Sequence, residues 1–151
     1  MVQNLTENQF SASSQLDGNH PPHLSALNKS NPDPELSHIN VWVPLSNTPG
    51  QWIQVDFSAN RIVAEVDLWA RIGIPQWVTS FKLALKRDGG DFRFKFTPNG
   101  MERVFQGPQR HHNIARVPID PTEARYVRLY PQTYHGYMSV IWEIYACDVV
   151  V

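Results

Sequence analysis

Apolar side chains return at every second position through most of this chain, and Pro or Gly breaks each run after a few residues. A helix needs a repeat near ~3.6 residues and a longer unbroken stretch, so the pattern drives the chain into strands with one wet face. "WIQVDF" sets Ile53, Val55 and Phe57 on one side and Trp52, Gln54 and Asp56 on the other. "RIVAEVDLWA" predicts an inward set of Ile62, Ala64, Val66 and Leu68. "FKLALK" alternates Phe81, Leu83 and Leu85 with Lys82 and Lys86, and "FRFKF" alternates Phe92, Phe94 and Phe96 with Arg93 and Lys95. Between these two, Gly89 and Gly90 in "RDGGD" predict a hairpin turn, because glycine takes positive φ without steric cost. "ARYVRLY" and "YMSVIWEIY" supply the late strands, with Pro131 and Gly136 marking their connection. Roughly eight strands joined by Gly/Pro turns predict an all-β sandwich or jelly roll, in which neighbouring loops gather at the ends.

At 151 residues the chain fits one domain, 1–151, with a single core and one site-bearing unit. The formal charge of −1 and the scattered basic residues leave no cationic stripe, which sets nucleic acid aside as a partner. The start "MVQNLTENQF" has neither the charged nor the apolar region of a signal peptide, so an extracellular or cell-surface location would imply a trimmed signal or an unusual export route. Asn4-Leu5-Thr6 and Asn28-Lys29-Ser30 would accept glycans in a secreted chain. Cys147 is the single cysteine and has no partner within the chain.

Two segments do not fit the strand rhythm. Residues 17–49 are polar and rich in Pro and Asn, a long loop region of the kind more often functional than a linker. The turn "WARIGIPQWVTSF" carries Arg71, Ile72 and Ile74 between two strands, where apolar residues are hard to bury. A guanidinium there presents a planar fork of donors suited to sugar hydroxyls, carboxylates or phosphates. Exposed isoleucines beside it would be worth roughly 1.5–3 kcal/mol each if buried in a partner or bilayer. Trp42, Trp52, Trp69, Trp77 and Trp142 are expected in the core, leaving Tyr134 and His135 on the last loop as the better stacking platforms. Zinc is not expected: on a strand, His111 and His112 would point to opposite faces, and His20 and His23 lie in a loop without a matching ligand pattern. Asp17, Asp33 and Glu35 could donate oxygens to a structural calcium ion, although no twelve-residue calcium loop is present. No nucleophile elbow, His-Glu-x-x-His or phosphate-binding glycine loop occurs, and no enzymatic activity is expected.

"QFSASSQLDGNHPPHLSALN", "VWVPLSNTPGQWIQVDF", "QWVTSFKLAL", "VFQG", "EARYVRLYP" and "HGYMSVIWEIYAC" follow one another as in the discoidin domain, the factor V/VIII C-type module, which the chain resembles over nearly its whole length. "SALN" and "QWVTS" are similar to the N-terminal domains of slime-mould discoidin lectins. The resemblance implies an eight-stranded antiparallel jelly-roll barrel or sandwich, non-catalytic, whose loops at one end bind galactose-type sugars, anionic phospholipid head groups, collagen or peptide ends. It also implies that Cys147 stands where a terminal disulfide partner would lie. Departures are local: Arg71-Ile72-Gly73 keeps an arginine but lacks the acid of an Arg-Gly-Asp-like turn, Ile141 replaces an arginine, and Tyr134 replaces a tryptophan.

The resulting expectation is an adhesion module for galactose- or N-acetylgalactosamine-type glycans on cell surfaces. Its candidate residues are Asp17, His20, His38, Asn40, Arg71, Ile72, Ile74, Tyr134 and His135, from loops 17–23, 33–42, 71–76 and 134–137 gathered at one end. The alternatives are an anionic phospholipid binder, with Ile72 and Ile74 inserting beside Arg71, and protein or peptide adhesion through the same rim.

Overall fold

In a computed structural model, which describes residues 4–26, 41–71 and 73–150, the strands are β1 (Phe10–Ala12), β2 (Ile53–Trp69), β3 (Trp77–Lys86), β4 (Arg93–Phe94), β5 (Phe105–Gln106), β6 (Ile114–His135) and β7 (Ile141–Asp148). They form a seven-stranded antiparallel network in the order β1-β2-β6-β3-β4, with β5 on β3 and β7 on β2. Strands β2 and β6 are too long for one flat layer. Each bends where the register between them shifts, and each serves both layers. The first half of β2 pairs with β1 and with the late half of β6, which continues to β3; the second half pairs with β7 and with the early half of β6. Val55, Leu83 and Leu129 from one layer and Val66, Trp142 and Ile144 from the other meet in one core, as in a jelly-roll sandwich.

The bend in β2 has a local cause. Ser58 takes the left-handed conformation at φ 65° and its amide donates to the Asp56 carboxylate at 2.7 Å, a short polar turn within the strand. Arg125 of β6 donates to both oxygens of Asp56, at 2.7 and 2.9 Å, and to Asp88 of the β3–β4 turn at 3.2 Å, fastening this pole of the sandwich.

Most expected faces are found, including Ile53, Val55 and Phe57 in β2 and Phe81, Leu83 and Leu85 in β3. Three readings are corrected. A bulge between Val63 and Glu65 reverses the alternation, so Val63 is buried while Ile62 is half-buried and Ala64 is exposed; one inserted residue flips all the side chains on one side of it. Phe92, Phe94 and Phe96 do not form an inward strand face. Phe92 packs edge-on to Tyr126, Phe94 lies 5.1 Å from Tyr130, and Phe96 is exposed. Pro131 does not end a strand, because β6 runs through it to His135; it sits at the register shift opposite Phe81, where its missing N–H breaks no regular ladder. Trp42 and Trp142 are fully buried, donating to the Ser14 carbonyl and the Ser25 hydroxyl at 2.9 Å each, whereas Trp52 and Trp69 are half-buried.

Candidate functional site

The end of the sandwich opposite the Arg125 ion pairs collects the long connections. Trp69, the end of β2, pairs with Ile114 and Ile141, the starts of β6 and β7, while Trp77 at the start of β3 pairs with His135 at the end of β6. The loops before, between and after these residues therefore converge. The amide of Val43 donates to the His20 carbonyl at 3.4 Å, and Trp42 and Val140 exchange backbone hydrogen bonds at 3.1 and 2.9 Å. Beneath them Val41, Val43 and Ile141 form a second apolar cluster with Trp69 and Tyr137. Gly136 locks the last connection against the β2–β3 loop: its φ is +71°, and a Cβ there would lie 2.4 Å from the Pro75 carbonyl oxygen.

A polar chain runs across this end. The Asp17 carboxylate accepts from the His20 ring at 2.6 Å and from the Asn19 amide at 2.8 Å, and these bonds, His20's first, hold its carboxyl below the usual range. With Nδ1 of His20 protonated towards Asp17, Nε2 is left as an acceptor, and a guanidinium nitrogen of Arg71 lies 3.4 Å from it. Arg71 donates to Gln76 Oε1 at 2.8 Å, and the Ser139 hydroxyl donates to the same oxygen at 3.4 Å. Arg71 is only 5 % exposed, and burial lowers its pKa to about 10, leaving it charged at neutral pH. Asp17, His20, Arg71, Gln76 and Ser139 thus join three loops into one network.

Of the candidate residues, Asp17, His20 and Arg71 lie together in this network. His38, Asn40 and Ile72 lie outside the described residues. Ile74 is half-buried. Tyr134 and His135 sit at the end of β6, not on a loop, and as consecutive strand residues they face opposite sides. Tyr134 lies opposite Val78, a core residue, and so faces the mouth of the sandwich, where it is 41 % exposed. His135 turns to the outer flank and stacks on Trp77 with ring centroids 4.4 Å apart. Gln76 and Ser139 went unnoticed because neither type signals a buried guanidinium's partner in a sequence. Leu16 and Leu45 also went unnoticed; they flank this end and are 42 % and 61 % exposed. Among the described residues no group of three or more His, Cys, Asp or Glu side chains is placed to hold a metal ion. The His111–His112 expectation is corrected: His112 is left-handed at φ 64°, which brings the two rings to 4.0 Å instead of opposite faces.

The chain is a jelly-roll sandwich with polar loop residues joined across one end. A model of the F5/8 type C domain matches residues 9–144, and the chain belongs to that family. It is similar to hemocytin of Bombyx mori, with 32% identity over 144 residues that cover 95% of this chain and 4% of the relative. The chain thus spans a small part of the curated relatives it matches; for rat lactadherin, 32% identical over 114 residues, the shares are 73% of this chain and 27% of the relative. Among solved structures, discoidin II from Dictyostelium discoideum superposes with a TM-score of 0.78 at 25% identity, over 93% of this chain and 55% of that one. The fold of a Clostridium perfringens carbohydrate-binding module in complex with GalNAc-β-1,3-galactose is shared with a TM-score of 0.69 at 15% identity, over 93% of this chain and 97% of that one.

Proposed function

We propose that the chain is a non-catalytic glycan-binding module that acts outside the cell or on its surface and takes a galactose- or N-acetylgalactosamine-type residue at the mouth bounded by Arg71 and Tyr134. The observation that carries this reading is the chain from Asp17 through His20, Arg71 and Gln76 to Ser139. It holds a charged donor and a run of donors and acceptors in fixed directions, which is what discrimination among sugar hydroxyls requires. Tyr134 supplies the aromatic face on which the apolar side of such a ring stacks. The fold it shares with a module holding GalNAc-β-1,3-galactose is consistent with that ligand class.

The lipid reading keeps one supporting observation, which is not the one expected. With Ile74 half-buried and Arg71 covered, the exposed aliphatic residues at this end, among those described, include Leu16 and Leu45. Calorimetry with galactose and N-acetylgalactosamine, with vesicle co-sedimentation in parallel, separates the two. Arg71→Lys keeps the charge but loses the fork, and should weaken sugar binding by about 1.5–3 kcal/mol, the scale of a hydrogen bond to a charged group. Vesicle capture abolished by Leu16→Ser with Leu45→Ser, without any sugar binding by the parent, would replace the lectin reading.

A further inference from the structure

On the flank beside the mouth, a second group of side chains is assembled that the glycan reading does not use. Trp77 is stacked between His135, at 4.4 Å and 20° between planes, and His111, at 5.8 Å and 10°; His112 extends the stack at 4.0 Å from His111. These rings come from three segments: the start of β3, the end of β6 and the loop before β6. That loop is fixed rather than merely near. The Gly107 amide donates to the Thr79 carbonyl at 2.9 Å, and the Gln109 side chain donates to the same oxygen at 2.9 Å and to the Gly107 carbonyl at 2.8 Å. A Cβ on Gly107 would lie 2.5 Å from the Val78 carbonyl oxygen, so the contact depends on glycine. Trp77 is 5 % exposed, yet its indole N–H has no hydrogen-bond partner, unlike the paired indoles of Trp42 and Trp142.

The charge of this flank is one-sided. Arg110, His111 and His112 in the loop and His135 opposite are all exposed, and the segments 74–79, 107–114 and 133–137 contain no Asp or Glu. The charged group of the adjoining loop is Arg71, also a cation. Among the described residues this exposed cluster of imidazoles and a guanidinium holds no carboxylate, so its N–H donors are left to meet an anion. Gln76, which holds Arg71, immediately precedes Trp77 in the chain, so the flank and the mouth adjoin at the start of β3.

We propose that the Arg110, His111, His112 and His135 flank is a subsite for an acidic sugar, carboxylate- or sulfate-bearing, linked to the neutral residue held at the mouth. The proposal rests on the glycan reading above for its neighbouring unit.

The test is titration of the whole chain with lactose, 3′-sialyllactose and 3′-sulfolactose at pH 6 and pH 8, and with vesicles containing phosphatidylserine. The expected result is that at least one acidic probe binds about tenfold or more tighter than lactose, and that Arg110→Ala with His111→Ala and His112→Ala removes the preference and leaves lactose affinity unchanged. The sialyl and sulfo arms tell a carboxylate from a sulfate. Lactose binding without any acidic preference at either pH overturns the subsite and leaves the glycan reading standing. Acidic probes that bind, and lose binding in the triple variant, while lactose does not bind, support the subsite and overturn the neutral one. Vesicle capture lost in the triple variant, with no sugar bound, overturns the acidic-sugar proposal in favour of a lipid head group.

Discussion

Asp67 is fully buried on β2, between Arg116 of β6 and Glu143 of β7, and neither of its carboxylate oxygens has a hydrogen-bond partner. Burial, reinforced by the Glu65 carboxylate, raises its pKa from 3.8 to about 6, against a partial opposing pull from Arg116 at 3.8 Å. An acid whose pKa is higher in the folded state binds its proton more tightly there, so its contribution to stability is complete below pH 3.8 and is lost as pH rises through about 6. At ~1.4 kcal/mol for each pH unit, the loss amounts to about 3 kcal/mol. Asp67→Asn cannot ionise. The stability difference between the variant and the parent should therefore grow in the variant's favour by about 2–3 kcal/mol between pH 4 and pH 7.5, or roughly 4–12 °C in melting temperature at ~2–4 °C per kcal/mol. Other carboxylates titrate in both proteins and cancel in the difference. Urea unfolding at four or five pH values measures it. A difference constant across that range, or a variant weaker than the parent at pH 7.5, would show instead that ionised Asp67 is well paired.

Gly136→Ala should lower stability by about 1–3 kcal/mol, because φ +71° and the Pro75 carbonyl at 2.4 Å leave no place for a methyl group; an unchanged melting curve would mean that the turn can move aside. Arg125→Ala should raise the pH of acid unfolding. Arg125 holds the Asp56 carboxyl below its usual value, so the stability from Asp56 is present above about pH 4 and lost on acidification, and removing Arg125 lowers stability at neutral pH. Circular dichroism between pH 2 and pH 7 follows it, and an unshifted midpoint would contradict the ion pair.

Much of the fold was legible because period-two alternation is a one-dimensional signal: Ile53, Val55, Phe57, Phe81, Leu83 and Leu85 are inward as the pattern demands. The misreadings lie where a three-dimensional event interrupts the period. The bulge at Val63–Glu65 leaves Ala64 exposed, and Phe92 and Phe94 cover the outer side of the larger layer, a choice that alternation cannot make because both faces of that strand have takers. Of the site, Asp17, His20 and Arg71 could be named from their types and loop positions. Their mutual placement, with His20 as the link and Gln76 as the receiver of Arg71, depends on contacts between residues far apart in sequence. His111 and His112 were misjudged for a related reason, since a left-handed residue at His112 overrides the strand geometry that adjacent residues otherwise obey.

The proposed ligand sits at the mouth of the sandwich. Amide chemical-shift mapping of the isotope-labelled chain during a galactose titration tests it most directly. The largest perturbations should fall on residues 17–20, 70–77 and 134–139, with Gln76 and Ser139 among them, and they should saturate together. A cavity of about 430 Å³ at the opposite pole, lined by Leu85, Arg87, Asp91, Arg93 and Glu123, provides the contrast. Saturating shifts centred there, with the mouth unmoved, would place the ligand at that cavity instead.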